Sequence, residues 1–121
     1  MIEFIFDSNR PIYIQLVEQL ELYIISGKIP PGERLPSVRD LALQAKVNPN
    51  TMQRALTELE DLGLIYTERT NGKFVTTNTE LLDQHREQFI ADRLQSFLAE
   101  MSELGFDQKT IIKILKQGGK K

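Results

Sequence analysis

The residues with the most usable chemistry lie between positions 34 and 72. Arg34, Arg39, Lys46 and Arg54 gather in one stretch, opposed only by Asp40. The guanidinium groups of Arg34 and Arg39 offer charge and forked donors that suit phosphate oxygens. Asn50 and Gln53 can each make paired hydrogen bonds to adenine in a major groove. The Thr51 hydroxyl can reach phosphate or base. Gly72 has no side chain, so its backbone can approach a ligand closely. These are tools for holding and reading duplex DNA. Tools for bond-making are missing from the pattern. No nucleophile, base and orienting group stand together, and His85 is the only histidine. Gly27 and Gly32 flank a Pro-Pro loop without the GK[ST] of a phosphate-binding loop. The absence of cysteine excludes disulfides and thiolate metal sites. The sequence therefore leads us to expect no enzyme, no metal and no cofactor, with His85 structural or solvated.

Several of these residues also have a purely structural reading, and both readings stand at this stage. Ser37 is an N-cap candidate as well as a DNA-facing hydroxyl, and Asn48 is another. Gly72 follows Asn71, a pair that signals a tight hairpin turn. Arg39 can be an exposed helix charge. Arg34 can pair with Glu33 or Asp40 at the surface, where such pairs contribute little.

The elements that must position these groups follow from spacing. IEFIF at the start is a short β-prone run, broken by Asp7-Ser8-Asn9. Pro11 suits a first helical turn, and Ile12, Leu16, Leu20 and Ile24 then recur every four residues, with Tyr13 and Val17 beside them. That helix ends near Gly27. Pro30, Pro31 and Gly32 make a loop, and Pro36 keeps Leu35 extended. Ser37 opens a second helix with Val38, Leu41, Ala42 and Ala45 inward, and Asp40 is placed to return the cap. Lys46-Val47 is a tight connection. Asn48 and Pro49 start a third helix with Met52, Ala55, Leu56, Leu59 and Leu62 inward, stopped by Gly63. Its opposite face shows Asn50, Thr51, Gln53 and Arg54. A strand at Leu64–Thr67, a two-residue turn at Asn71-Gly72 and a strand at Phe74–Thr76 form a hairpin.

Helix, helix, tight turn, helix and hairpin is the order of a winged helix-turn-helix, whose second short helix reaches base edges. The expected fold is mainly α with a small β-hairpin. Residues 1–77 form the DNA-binding domain and residues 78–121 a helical dimerisation tail. The tail carries Phe89, Ile90, Leu94, Phe97, Leu98, Met101 and Leu104 on one stripe. Beyond Gly105, Asp107 caps a helix with Ile111, Ile112 and Leu115, ending at Gly118-Gly119. With 121 residues and a hydrophobic fraction of 40%, the core is real but small, and a partner subunit would help bury the stripe.

At this point the chain resembles a known family. The stretch GKIPPGERLPSVRDLALQAKVNPNTMQRALTELEDLGLIYTERTNGKFV is similar to the DNA-binding domain of GntR-type repressors, over about forty percent of the chain. The landmarks are PGERLPSVRDLA, VNPNTMQRAL, LEDLGLI and the NGKFV wing. The opening IEFIFDSNRPIYIQL and the short tail resemble the YtrA-like branch. The resemblance implies DNA contacts at Arg39, at Asn48, Asn50 and Thr51 in the recognition helix, and at Gly72 on the wing tip. Two positions that are arginine in better-known members are Pro49 and Gln53 here, so their base preference does not carry over. Arg54 offers a partial replacement.

The resemblance implies a repressor that controls a transporter operon, while the apolar stripe of the tail points to a homodimer through the C-terminal helices, which would read an inverted-repeat operator. An effector, if one acts, is an unidentified small molecule that fits between subunits. The net charge of −2 opposes DNA binding overall, but the basic stretch is local. A protein-binding winged helix is the rival; its recognition face would carry aromatic anchors rather than polar groups. MIEFIFDSNR lacks the pattern of a signal peptide and no run is long enough to span a membrane, so the expected location is cytoplasmic.

Overall fold

The computed structural model describes residues 2–118. The chain divides into two units, Met1–His85 and Arg86–Lys121. The first unit holds α1 (Ile12–Ile25), α2 (Val38–Ala45), α3 (Pro49–Asp61), β1 (Ile65–Glu68) and β2 (Gly72–Val75), together with the start of α4 (Thr79–Glu103). The second holds the rest of α4 and α5 (Gln108–Lys116). The architecture is mainly α with one antiparallel hairpin, as the residue pattern requires.

Both α1 and α2 pack on α3, which also backs β1. The core between them is Leu16, Leu20 and Ile24 of α1, Leu41 and Ala42 of α2, and Met52, Ala55, Leu56 and Leu59 of α3, closed by Leu64, Ile65 and Val75. Three expected core positions differ. Val38 is only half-buried, while Ile12 and Leu62 are exposed. Ile12 opens α1 and Leu62 is the C-cap of α3, so both stand at helix ends. The cap at Ser37 forms: its Oγ accepts Asp40 N–H at 3.1 Å. Among the described residues no hydrogen bond returns from Ser37 N–H to the Asp40 carboxylate.

The β-prone opening run is extended but belongs to no strand. It lies along α1, whose side chains take the place of a partner strand. Asp7 N–H donates to Gln15 Oε1, Ile5 N–H to Gln19 Oε1 and Glu3 N–H to the Tyr23 hydroxyl, at 2.9, 3.0 and 3.2 Å. Each is answered: Gln15 Nε2, Gln19 Nε2 and Tyr23 Oη donate to the same three residues' carbonyls. The spacings match. Four helical residues rise about 6 Å and two extended residues about 6.6 Å. Ile2 N–H is held by Gln44 Oε1 of α2 at 3.0 Å. Bonds worth about 0.5–1.5 kcal/mol each roughly offset an ordering cost of about 1–2 kcal/mol per residue. Half-burial of Ile2, Phe4 and Phe6 then decides the balance.

The hairpin also corrects the expected turn. Glu68 pairs with Gly72, leaving Arg69, Thr70 and Asn71 as a three-residue loop. Asn71 N–H closes back on Glu68 O at 3.2 Å, and only Gly72 takes positive φ, at 100°. This is the three-residue solution, a turn followed by one left-handed glycine, rather than the two-residue turn with both positions left-handed. Tyr66 stacks on its cross-strand partner Phe74, with ring centroids 5.6 Å apart.

Within the first unit, α4 begins with Leu82 buried and His85 Nδ1 3.4 Å from Glu21 Oε2 of α1. In the second unit Asp107 Oδ1 accepts Thr110 N–H at 2.9 Å and caps α5, and Ile111 is buried. The backbone hydrogen bond holds the Asp107 carboxyl below its usual range, helped by the Thr110 hydroxyl. The helix ends at Lys116; Gly119, half of the expected stop, lies outside the described residues.

Candidate nucleic-acid interface

The connection between α2 and α3 sets the geometry. Lys46 sits at φ 58°, ψ 45°, the left-handed region. Val47 N–H reaches back to Ala42 O at 3.0 Å, which ends α2 and turns the chain within two residues. Asn48 then caps α3: its Oδ1 accepts Asn50 N–H at 2.8 Å, and Pro49 takes the first helical position. The cap reading of Asn48 is realised, and its oxygen is committed to the helix. Burial of Met52, Ala55, Leu56 and Leu59 turns the opposite face outward. Asn50, Gln53 and Arg54 are exposed there and Thr51 is half-buried.

The outward groups differ in freedom. Asn50 carries no side-chain bond among the described residues. Gln53 Nε2 donates to Thr57 Oγ1 at 3.3 Å, while its Oε1 is unused. Arg54 is held. Its guanidinium lies 3.9 Å from the centroid of the Tyr13 ring, a cation–π contact. Tyr13 in turn donates to Glu58 Oε1 at 2.7 Å. That hydrogen bond, then partial desolvation and the carboxylate's charge, hold the Tyr13 phenol above its usual range against the opposing Arg54 charge. Sequence reading placed Tyr13 only beside an apolar stripe. Its partners are 41 and 45 residues away, so no local spacing announces them.

On α2, Arg39 is exposed and Ser37 is bound as the cap. Arg34, Arg39, Lys46 and the wing-tip Arg69 make no ion pair among the described residues, so the expected alternative of Arg34 with Glu33 or Asp40 is not formed. Lys73 does pair, with Glu60 Oε1 at 3.4 Å, and also donates to Thr67 Oγ1 at 2.9 Å. Arg34 and Gly72 meet: a Cβ on residue 72 would lie 3.2 Å from Arg34 Nε. A groove of about 310 Å³ runs between the wing and the start of α2, lined by Arg34, Ser37, Arg69, Gly72 and Lys73 among others. Among the described residues no group of three or more His, Asp or Glu side chains could hold a metal ion.

Two short helices joined by a left-handed residue, with a hairpin returning beside them, define the winged helix-turn-helix class, which presents its second helix to duplex DNA. The profile for "Bacterial regulatory proteins, gntR family" matches residues 12–75, and the chain belongs to this family of DNA-binding transcriptional regulators. YhcF of Bacillus subtilis, described as an uncharacterized HTH-type transcriptional regulator, is 38% identical and the match covers 94% of this chain and 97% of YhcF. YtrA of Bacillus subtilis, an HTH-type transcriptional repressor, is 32% identical over 94% of this chain and 93% of its own. A GntR family transcriptional regulator from Listeria monocytogenes has the same fold, with a TM-score of 0.85 at 38% identity, covering 93% of this chain and 98% of that one. The DNA-binding domain of AraR in complex with operator ORX1 matches with a TM-score of 0.56 at 30% identity, covering 62% of this chain and 96% of AraR's.

Proposed function

We propose that this regulator is a repressor that binds an inverted-repeat operator as a homodimer, joined through residues 78–121. The observation that carries the reading is the uncovered tail. Ile90, Leu94, Phe97, Leu104, Ile112 and Leu115 are between 41% and 68% exposed in the single chain. Apolar residues at this density along α4, α5 and the turn between them call for a cover, and a second copy of the same tail supplies it in a two-fold contact. Such a dimer presents two recognition helices roughly 34 Å apart, or at a multiple of that, and so needs a symmetric operator. Repression follows the relative YtrA, named a repressor, and the YtrA-like resemblance suggests a transporter operon as target. A small-molecule effector, where one acts, sits between the two subunits.

Arg34, Arg39, Asn50, Thr51, Gln53 and Gly72 are the DNA-contacting set in this reading. Ser37 and Asn48 contribute as caps that aim α2 and α3, and Arg54 from its seat on Tyr13. Protection mapping on the gene's own upstream region, with sedimentation of the full chain, tests the proposal. The expected result is a dimer at micromolar concentration protecting two symmetric half-sites. A monomer, or a single asymmetric footprint, counts against it.

A further inference from the structure

The segment before α2 and the wing form one hydrogen-bonded body. Leu35 N–H donates to Lys73 O at 2.8 Å, Val75 N–H to Glu33 O at 2.9 Å and Gly32 N–H to Val75 O at 2.9 Å. β2 is therefore paired along both edges, with Arg34 opposite Phe74. From that register the Arg34 side chain runs to the wing tip. A Cβ on residue 72 would stand 3.2 Å from its Nε, 3.5 Å from Nη2 and 3.8 Å from Cζ. The guanidinium lies close against the bare backbone at 72, so that a Cβ there would crowd its Nε. No carboxylate among the described residues claims it.

Residue 72 thus meets two separate demands. The turn asks for φ 100°, which strains any residue that carries a side chain. The approach of Arg34 adds a second: a Cβ at 72 would press on Nε at 3.2 Å and push the guanidinium off its seat by a few tenths of an ångström.

We propose that Arg34 is the positioning residue of the wing: its planar guanidinium, seated on the bare backbone of Gly72, fixes the wing beside the start of α2 and in the same pose offers its donors to a DNA phosphodiester in the groove. The planarity matters as much as the charge. A guanidinium can lie flat against a peptide and still present N–H groups at its edge, whereas an ammonium is a point charge on a flexible stem. The proposal rests on DNA binding as the function of the family. It does not depend on dimerisation or operator symmetry.

The test is a double-mutant cycle of Arg34→Ala and Gly72→Ala in the full chain, with Arg34→Lys and Gly72→Asn as companions. Amide hydrogen exchange without DNA is the first readout. Arg34→Ala and Arg34→Lys should both speed exchange at Leu35 and Val75, and the double alanine variant should fall short of the sum of the two single variants. The second readout is affinity for a labelled duplex that the wild-type chain has selected from a random library. Each single alanine variant should weaken binding about tenfold. The double variant should lose clearly less than the hundredfold of independent sites, because the contact between the two residues is counted in both single losses. Gly72→Asn, strained at the same φ and placing a side chain against the guanidinium, should behave like Gly72→Ala. Additive losses, or an Arg34→Lys chain with wild-type exchange and affinity, would overturn the proposal. If the wild-type chain enriches no sequence, the reading as a sequence-specific repressor fails, and the exchange data still decide whether Arg34 seats the wing.

Discussion

Arg39 occupies the second position of α2, exposed and without an ion-pair partner among the described residues. An arginine so placed has no fold-stabilising contact to lose, so its effect should appear in binding alone. Arg39→Ala should weaken operator binding by roughly 1–3 kcal/mol with an unchanged melting curve; equal affinity in a titration would remove it from the interface. Lys46 is the reverse case. Its side chain is exposed and its backbone carries the role, because φ 58° is strained for a residue with a Cβ. Lys46→Ile should destabilise the domain by roughly 1–2 kcal/mol, since a β-branched residue tolerates this region worst. Lys46→Gly should leave stability equal or higher. Urea denaturation of the two variants checks the order, and equal midpoints would mean that the turn relaxes without strain.

Each helix of the interface begins at a side-chain cap, and the same device recurs in the tail. At the start of α5, Asp107 accepts the Thr110 N–H and hydroxyl. Its carboxyl is held below the reference 3.8, so the ionised form is the one that α5 favours. The cap's contribution is complete above that reference value. It is lost as pH falls through the lowered one. In an acid titration the Thr110 amide resonance should therefore move with its midpoint below about pH 3.8. Asp107→Asn should abolish that movement while keeping an acceptor for the cap. A Thr110 shift centred above the reference value would contradict the assignment. The opening arm shows how an element can be right in conformation and wrong in partner. Its residues are extended, as β-prone types should be, but Gln15, Gln19 and Tyr23 complete it in place of a strand.

For the molecule as a whole, the proposed dimer rests on the tail. Leu94 and Phe97 lie on one helical face and are 55% and 41% exposed in the single chain. Replacing either with glutamate adds a charge where a partner would bury it, and should raise the dimer dissociation constant at least tenfold. The winged unit should melt as before. A chain ending at His85 keeps the turns of α4 that bury Leu82 and should remain a folded monomer. Such a monomer should bind a half-site weakly, because effective concentration no longer helps the second contact. Sedimentation velocity decides: a shortened chain that still dimerises would place the contact in the winged unit.

The sequence by itself determined the helices, their caps and their order, because those follow from interactions within a few residues. Ser37, Asn48 and Asp107 each bond a backbone N–H two or three positions on, and the apolar repeats in α1 to α3 need only a periodic count. The polar face of α3 was legible for the same reason, and so was the family, through one ordered run of motifs. Only the tertiary structure decided which side chains are free to work. Arg54 is drawn onto Tyr13 and Lys73 to Glu60, while Arg34 crosses to Gly72, 38 residues away. The hairpin's loop length was likewise settled by the pairing of Glu68 with Gly72, since either register satisfies an Asn-Gly pair taken alone. These outcomes depend on which elements come to lie side by side. That arrangement is fixed by burial of the shared core and not by any short-range spacing.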